Sequence, residues 1–140
     1  MSSFFSKLNK FMPEFNGSNW LIRIPLSIVF IQQGLSKLPF DAMTAESYGL
    51  NIILWILVII AELFAGIGLL FGGILKIIGF MSTIGDFLTR FCGAIIVGVI
   101  TGVILINKPE NIFEVILYDQ FHLMLYCGGM FFFLRGNRVR

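Results

Sequence analysis

Charge is scarce in this 140-residue chain: Asp, Glu, Lys and Arg together make up 13% of it, against 57% apolar residues. An ordinary water-soluble domain carries about a quarter of its residues as charges, so that class is excluded. Histidine is scarcer still, with His122 alone. One imidazole and scattered carboxylates do not make a haem or zinc ligand set, and no metal is expected. The two cysteines, Cys92 and Cys127, lie in apolar runs without C-x-x-C spacing and read as small buried residues rather than a redox pair. The net charge of +2 is not a nucleic-acid signal, since the basic residues are distributed along the chain by membrane side. The run GIGLLF stops short of G-x-G-x-x-G and lies inside an apolar segment, which excludes nucleotide binding by that route. The N-terminus has lysines but no compact apolar run followed by a small-residue cleavage site, so it is expected to be retained.

Long apolar segments are abundant. A helix needs about 20 such residues to cross about 30 Å of hydrocarbon, so four crossings nearly exhaust the chain. The expected fold is an all-α membrane protein, a single membrane domain built as a four-transmembrane-helix bundle, with spans at 20–38, 51–71, 90–106 and 112–135. Pro25 falls near the start of the first span, where a missing amide donor is tolerated. Gly72 and Gly73 mark the end of the second. Asn111, with Glu114 three residues later, matches a capping box for the fourth. Between the second and third spans, Lys76, Gly79, Thr83 and Asp86 recur at steps of three and four. This stripe predicts an interfacial amphipathic helix over 74–88, lying along the membrane surface. Eight of the ten lysines and arginines then fall on one side, with Lys37 and Lys108 on the other, which predicts both termini in the cytoplasm. Gly68-x-x-x-Gly72 and Gly98-x-x-x-Gly102 are spacings that let helix backbones approach closely in lipid.

Glu62 stands about midway along the second span, where an ionised carboxylate is unfavourable unless paired, protonated or hydrated. Its two readings are a buried carboxyl that locks helices together and a proton-handling group beside a redox ligand. Arg23, Ser27, Phe30, Gly34 and Lys37 share one stripe of the first helix, with Gln33 beside it. Counting from the span ends puts Arg23 about 6 Å from the depth of Glu62, so Arg23 is the expected partner and His122 the second. Lys37 is expected to snorkel to the outer interface. Asp119, His122 and Tyr126 form a polar stripe on the last helix, with His122 near mid-membrane. That histidine reads either as a satisfied core residue or as a group able to titrate near neutral pH beside a carboxylate. Thr101 adds a hydroxyl at similar depth.

RIPLSIVFIQQGLSKL in the first helix, AELFAGIGLLFG in the second and LTRFCGAIIVG at the third resemble the DoxX family of small four-helix bacterial membrane proteins. Gln33 precedes Gly34 where many relatives carry histidine, and residues 74–88 look inserted, as a docking surface of this member would be. The resemblance implies a bacterial inner-membrane location and a link to membrane redox chemistry, because some members are associated with quinone-dependent sulfur oxidation or with oxidoreductase complexes. Two functions are therefore in play. In the first, a membrane subunit of a quinone-linked oxidoreductase uses Glu62 and His122 to manage protons, with Arg23, Gln33, Thr101 and Tyr126 orienting a quinone. In the second, a non-catalytic accessory subunit packs against other membrane subunits and lipid.

Overall fold

The computed structural model describes residue 15, residues 17–79 and residues 81–138. Lys7, Lys10 and Arg140, used above for orientation, lie outside the described residues. The described chain is helical, with no strand: α1 (Trp20–Ser36), α2 (Ala42–Ser47), α3 (Ile52–Ile78), α4 (Ser82–Ile106), α5 (Ile112–Tyr118) and α6 (Gln120–Arg135). The four longer helices run alternately up and down. α3 packs on both α1 and α4, and α6 packs on α4. One end of the bundle therefore holds Lys37, α2 and α5, and the other holds the α3–α4 turn and Asn137.

α3 and α4, with 27 and 25 residues, are long and apolar enough to cross a membrane. α1 and α6, with 17 and 16 residues, are each about 25 Å long by helical rise. The surface of α3 decides what surrounds it. Ile53, Leu57, Ile60, Phe64, Ile67 and Phe71, at steps of three and four, all face outward and exposed, while Ile59, Ala65 and Leu69 face the core. A helix apolar on every side, with one side uncovered, belongs in lipid.

The expected interfacial helix over 74–88 does not form. Residues 74–78 continue α3 and residues 82–88 open α4, with a turn between them. Gly79 makes the break possible. Its φ of 73° is a left-handed helix cap that glycine adopts without strain, and its amide closes on the Lys76 carbonyl. The polar stripe needs no membrane surface, because Lys76 and Asp86 both bond to Asn137 at the end of the chain. The second span consequently ends at Ile78 rather than 71, and the third begins at Ser82 rather than 90.

The fourth helix is also interrupted. Asn111 caps α5 through the Glu114 amide at 3.1 Å, as its spacing predicts. The Glu114 carboxylate reaches back to the amide of Glu110 rather than to that of the cap residue, at 2.7 Å. Helix stops at Asp119, with φ −114° and ψ 49°, and restarts at Gln120. His122 therefore sits in the first turn of α6, not at mid-membrane.

Close packing rests on small residues, as expected where lipid removes the hydrophobic drive between helices. A Cβ on Gly68 would lie 2.6 Å from the Cys92 sulfur, and one on Gly72 would lie 2.9 Å from the Gly85 carbonyl. The first small-residue pair thus joins α3 to α4. Gly98 and Gly102 meet nothing within 4 Å, so the second pair makes no contact of this kind. Leu26, Phe30, Leu69, Cys92, Ile96, Ile100, Leu125 and Phe132 fill the interior from all four long helices. Cys127, expected to be buried, faces outward on α6.

Candidate functional site

Two polar clusters occupy opposite ends of the bundle. At the first, Gly34 lets α1 approach α3 so closely that an added Cβ would meet the Leu63 side chain. Gly66 does the same from α3, facing the Ser27 carbonyl and Ile31. This approach brings Lys37 onto Glu62, with Nζ 2.7 Å from each carboxylate oxygen. Glu62 is almost fully buried, its side chain 4% exposed, whereas Lys37 retains 18%. The lysine also contacts the Gln33 carbonyl at 3.4 Å. A neighbouring cluster of Ala45, Trp55 and Ile59, joined by Tyr48 stacked on Trp55 at 5.2 Å, seats α2 over this end.

Arg23 is not the partner of Glu62, and Lys37 does not snorkel. The contacts of Gly66 and Gly73 place Arg23 level with Leu69 and Gly73 on α3. From Glu62 to Leu69 is seven positions, about 10 Å along the helix. The sequence estimate of depth fails because α3 continues to Ile78, which displaces Glu62 away from the middle of its helix and toward Lys37.

Arg23 anchors the second cluster. Its guanidinium is fully buried, donating to the Leu69 carbonyl, to Thr89 Oγ1 at 3.2 Å and to Asn137 Oδ1 at 2.6 Å. It also lies 4.6 Å from the centre of the Phe132 ring and 5.4 Å from that of Trp20. Both contacts suit a desolvated cation. Asn137 is the hub. Its Oδ1 accepts from Arg23 and from Thr89 at 3.0 Å, and its Nδ2 donates to the Gly72 carbonyl at 2.9 Å. Its backbone amide donates to Asp86 Oδ1 at 2.7 Å, and its carbonyl accepts from Lys76. Gly136, at φ 59°, turns the chain into this position, and a Cβ there would collide with the Asp86 carboxylate. Arg90 completes the end: it pairs with Asp86 at 2.9 Å and donates to the Leu134 carbonyl at 2.7 Å, closing the C-terminus of α6.

Neither Asn137 nor Thr89 was singled out from the sequence. The available signal was a glycine followed by asparagine at the end of the last helix, which reads first as a simple helix stop. Of the other sequence candidates, His122 Nδ1 meets Asp119 Oδ1 at 2.5 Å, as their three-residue spacing allows. Tyr126, on the same stripe, packs against the main core. Gln33 is exposed. Thr101, also exposed, turns its hydroxyl back to the Val97 carbonyl at 2.7 Å. Glu62 and His122 thus have separate partners, and the six candidates do not converge on one site. Among the described residues no three His, Cys, Asp or Glu side chains are grouped to hold a metal ion.

Residues 19–84, which carry Arg23, Lys37 and Glu62, match the family model DoxX. That segment, just under half of the chain, is similar to the DoxX family. No curated protein and no solved structure matches it. Family and exposed apolar helices together make it a small membrane protein in contact with lipid.

Proposed function

We propose that this DoxX-like protein is a non-catalytic small subunit of a larger membrane complex. The observation that supports this reading is a bundle filled by its own side chains, whose buried charged groups already have intramolecular partners. A proton-transfer site needs a carboxylate or imidazole within reach of a ligand, and Glu62 lies under Lys37 in the packed region between α1 and α3. The host we propose is the quinone-dependent oxidoreductase class that the family resemblance implies. In it the chain is a four-span bundle with both termini in the bacterial cytoplasm, and Arg90, Arg135 and Arg138 lie on that side. α1 and α6 reach across by virtue of the polar residues and loops that extend each of them into the interface.

A quinone-binding role has one observation in its favour, a shallow groove of about 540 Å³ along α1, lined by Ile28, Ile31, Gln32, Leu35 and Ser36. Its almost wholly apolar walls suit a quinone ring or tail entering from lipid. One experiment separates the readings: quinone reduction in native membranes with and without the chain, normalised to the amount of assembled host complex. The subunit reading predicts less complex with unchanged turnover per complex. Lower turnover at unchanged assembly would refute it.

A further inference from the structure

Charge is segregated between the two ends of the bundle. At the end holding Asn137, the described residues include five cations, Arg23, Lys76, Arg90, Arg135 and Arg138, and one carboxylate, Asp86. The opposite end carries Asp41, Glu46, Glu110, Glu114 and Asp119 on its loops and short helices, with Lys37 and Lys108. At the basic end two cations and the carboxylate are already engaged. Arg23 is buried among Leu69, Thr89 and Asn137, while Arg90 holds Asp86 and the carbonyls that end α6. Lys76, Arg135 and Arg138 are exposed, and none makes an ion pair within 4 Å among the described residues, although Arg138 lies close enough to Asp86 to interact with its charge.

These three converge. Lys76 bonds to the carbonyl of Asn137, the neighbour of Arg138, and Arg135 Nε donates to the Arg138 carbonyl at 2.9 Å. Exposed Ile77, Ile78 and Leu134 flank them. The cations therefore sit where apolar helix surface ends. We propose that this cluster binds the headgroups of anionic phospholipids, with Lys76, Arg135 and Arg138 contacting phosphate. Guanidinium groups suit this through paired N–H donors, and the acidic opposite end repels the same lipids.

Trp20 is a built-in reporter. It packs beside Gly73, one helical turn from Lys76, and the chain's other tryptophan, Trp55, lies at the acidic end. In a Trp55→Phe background, the chain is reconstituted in phosphatidylcholine vesicles containing 20% phosphatidylglycerol, with either lipid brominated in turn. Quenching of Trp20 then reports local lipid composition. Each interfacial cation contributes about a fivefold preference for anionic lipid. The parent should show a local phosphatidylglycerol-to-phosphatidylcholine ratio near Trp20 at least about fivefold above the bulk ratio, falling as chloride is raised. Arg138→Gln alone should lower it by up to about fivefold. The combined Lys76→Gln, Arg135→Gln and Arg138→Gln chain should bring it near unity with helical circular dichroism preserved. Arg138 uses no side-chain hydrogen bond among the described residues, so its single variant remains informative if the triple variant misfolds. No enrichment in the parent, or the same enrichment in Arg138→Gln, would overturn the proposal. Displacement by inorganic phosphate well beyond that by chloride at equal ionic strength would also overturn it, identifying a free-anion site instead.

Discussion

Replacing Asn137 with alanine should destabilise the bundle by about 3–5 kcal/mol, an unusually large effect for a residue two positions beyond the last helix. The side chain makes three bonds: it accepts from Arg23 at 2.6 Å and from Thr89 at 3.0 Å, and donates to the Gly72 carbonyl at 2.9 Å. A bond to a charged group is worth about 1.5–3 kcal/mol, a neutral one about 1 kcal/mol, and a buried group left unpaired adds its own desolvation penalty. Arg23 is the group left short, since it is fully buried. The effect should therefore be strongly non-additive. In an Arg23→Leu chain, Asn137→Ala should cost at least about 1.5 kcal/mol less than in the parent, because the cation that needed the amide oxygen is gone. Unfolding in mixed dodecylmaltoside and SDS micelles, followed by circular dichroism, gives all four stabilities. Additivity within about 0.5 kcal/mol would refute the role of Asn137 as partner of a buried charge.

The glycines make a matched comparison. Gly72→Ala should destabilise by about 1–3 kcal/mol in the same assay, since the new methyl overlaps Thr89 and the Gly85 carbonyl. Gly98→Ala, with nothing within 4 Å, should be neutral or stabilising through helix propensity. Asp41 predicts a pH effect at the first turn of α2. Its carboxylate accepts from the Thr44 hydroxyl at 2.6 Å and from the amides of Thr44 and Met43, which hold it below the usual aspartate value of 3.8. A lowered folded value means that the cap stabilises α2 above pH 3.8 and is lost as pH falls through that lower value. Amide exchange at Met43 and Thr44 should accelerate there once the intrinsic pH dependence is removed, and Asp41→Leu should abolish the transition.

Much of the fold was legible because it follows from composition and spacing. Apolar length located the four long helices, and the cap residue Asn111 located the start of α5. The Asp119–His122 contact follows from three-residue spacing on one face. What sequence missed depended on where helices stop. Gly79 ends α3 by adopting a left-handed conformation, and a polar stripe spanning that turn imitates an amphipathic helix. Seven further residues at the end of α3 shift every estimate of depth, enough to assign Glu62 to Arg23 instead of Lys37. The hub was invisible for a different reason. Asn137 is made functional by contacts with Arg23, Gly72, Asp86 and Thr89, all more than forty residues away in the chain, and no local pattern encodes such an arrangement.

The central claim is that the buried charges hold the bundle together and carry no chemistry. Lys37 and Glu62 test it most directly, because removing Lys37 leaves the buried Glu62 carboxylate without its partner. Lys37→Met should cost about 3–5 kcal/mol, and pairing it with Glu62→Leu should recover most of that loss. The decisive measurement is quinone reduction per assembled host complex in membranes carrying the Lys37→Met, Glu62→Leu double variant. The account predicts turnover equal to that of the parent once assembly is restored. Normal assembly with turnover reduced tenfold or more would contradict it and return Glu62 to a proton-handling role.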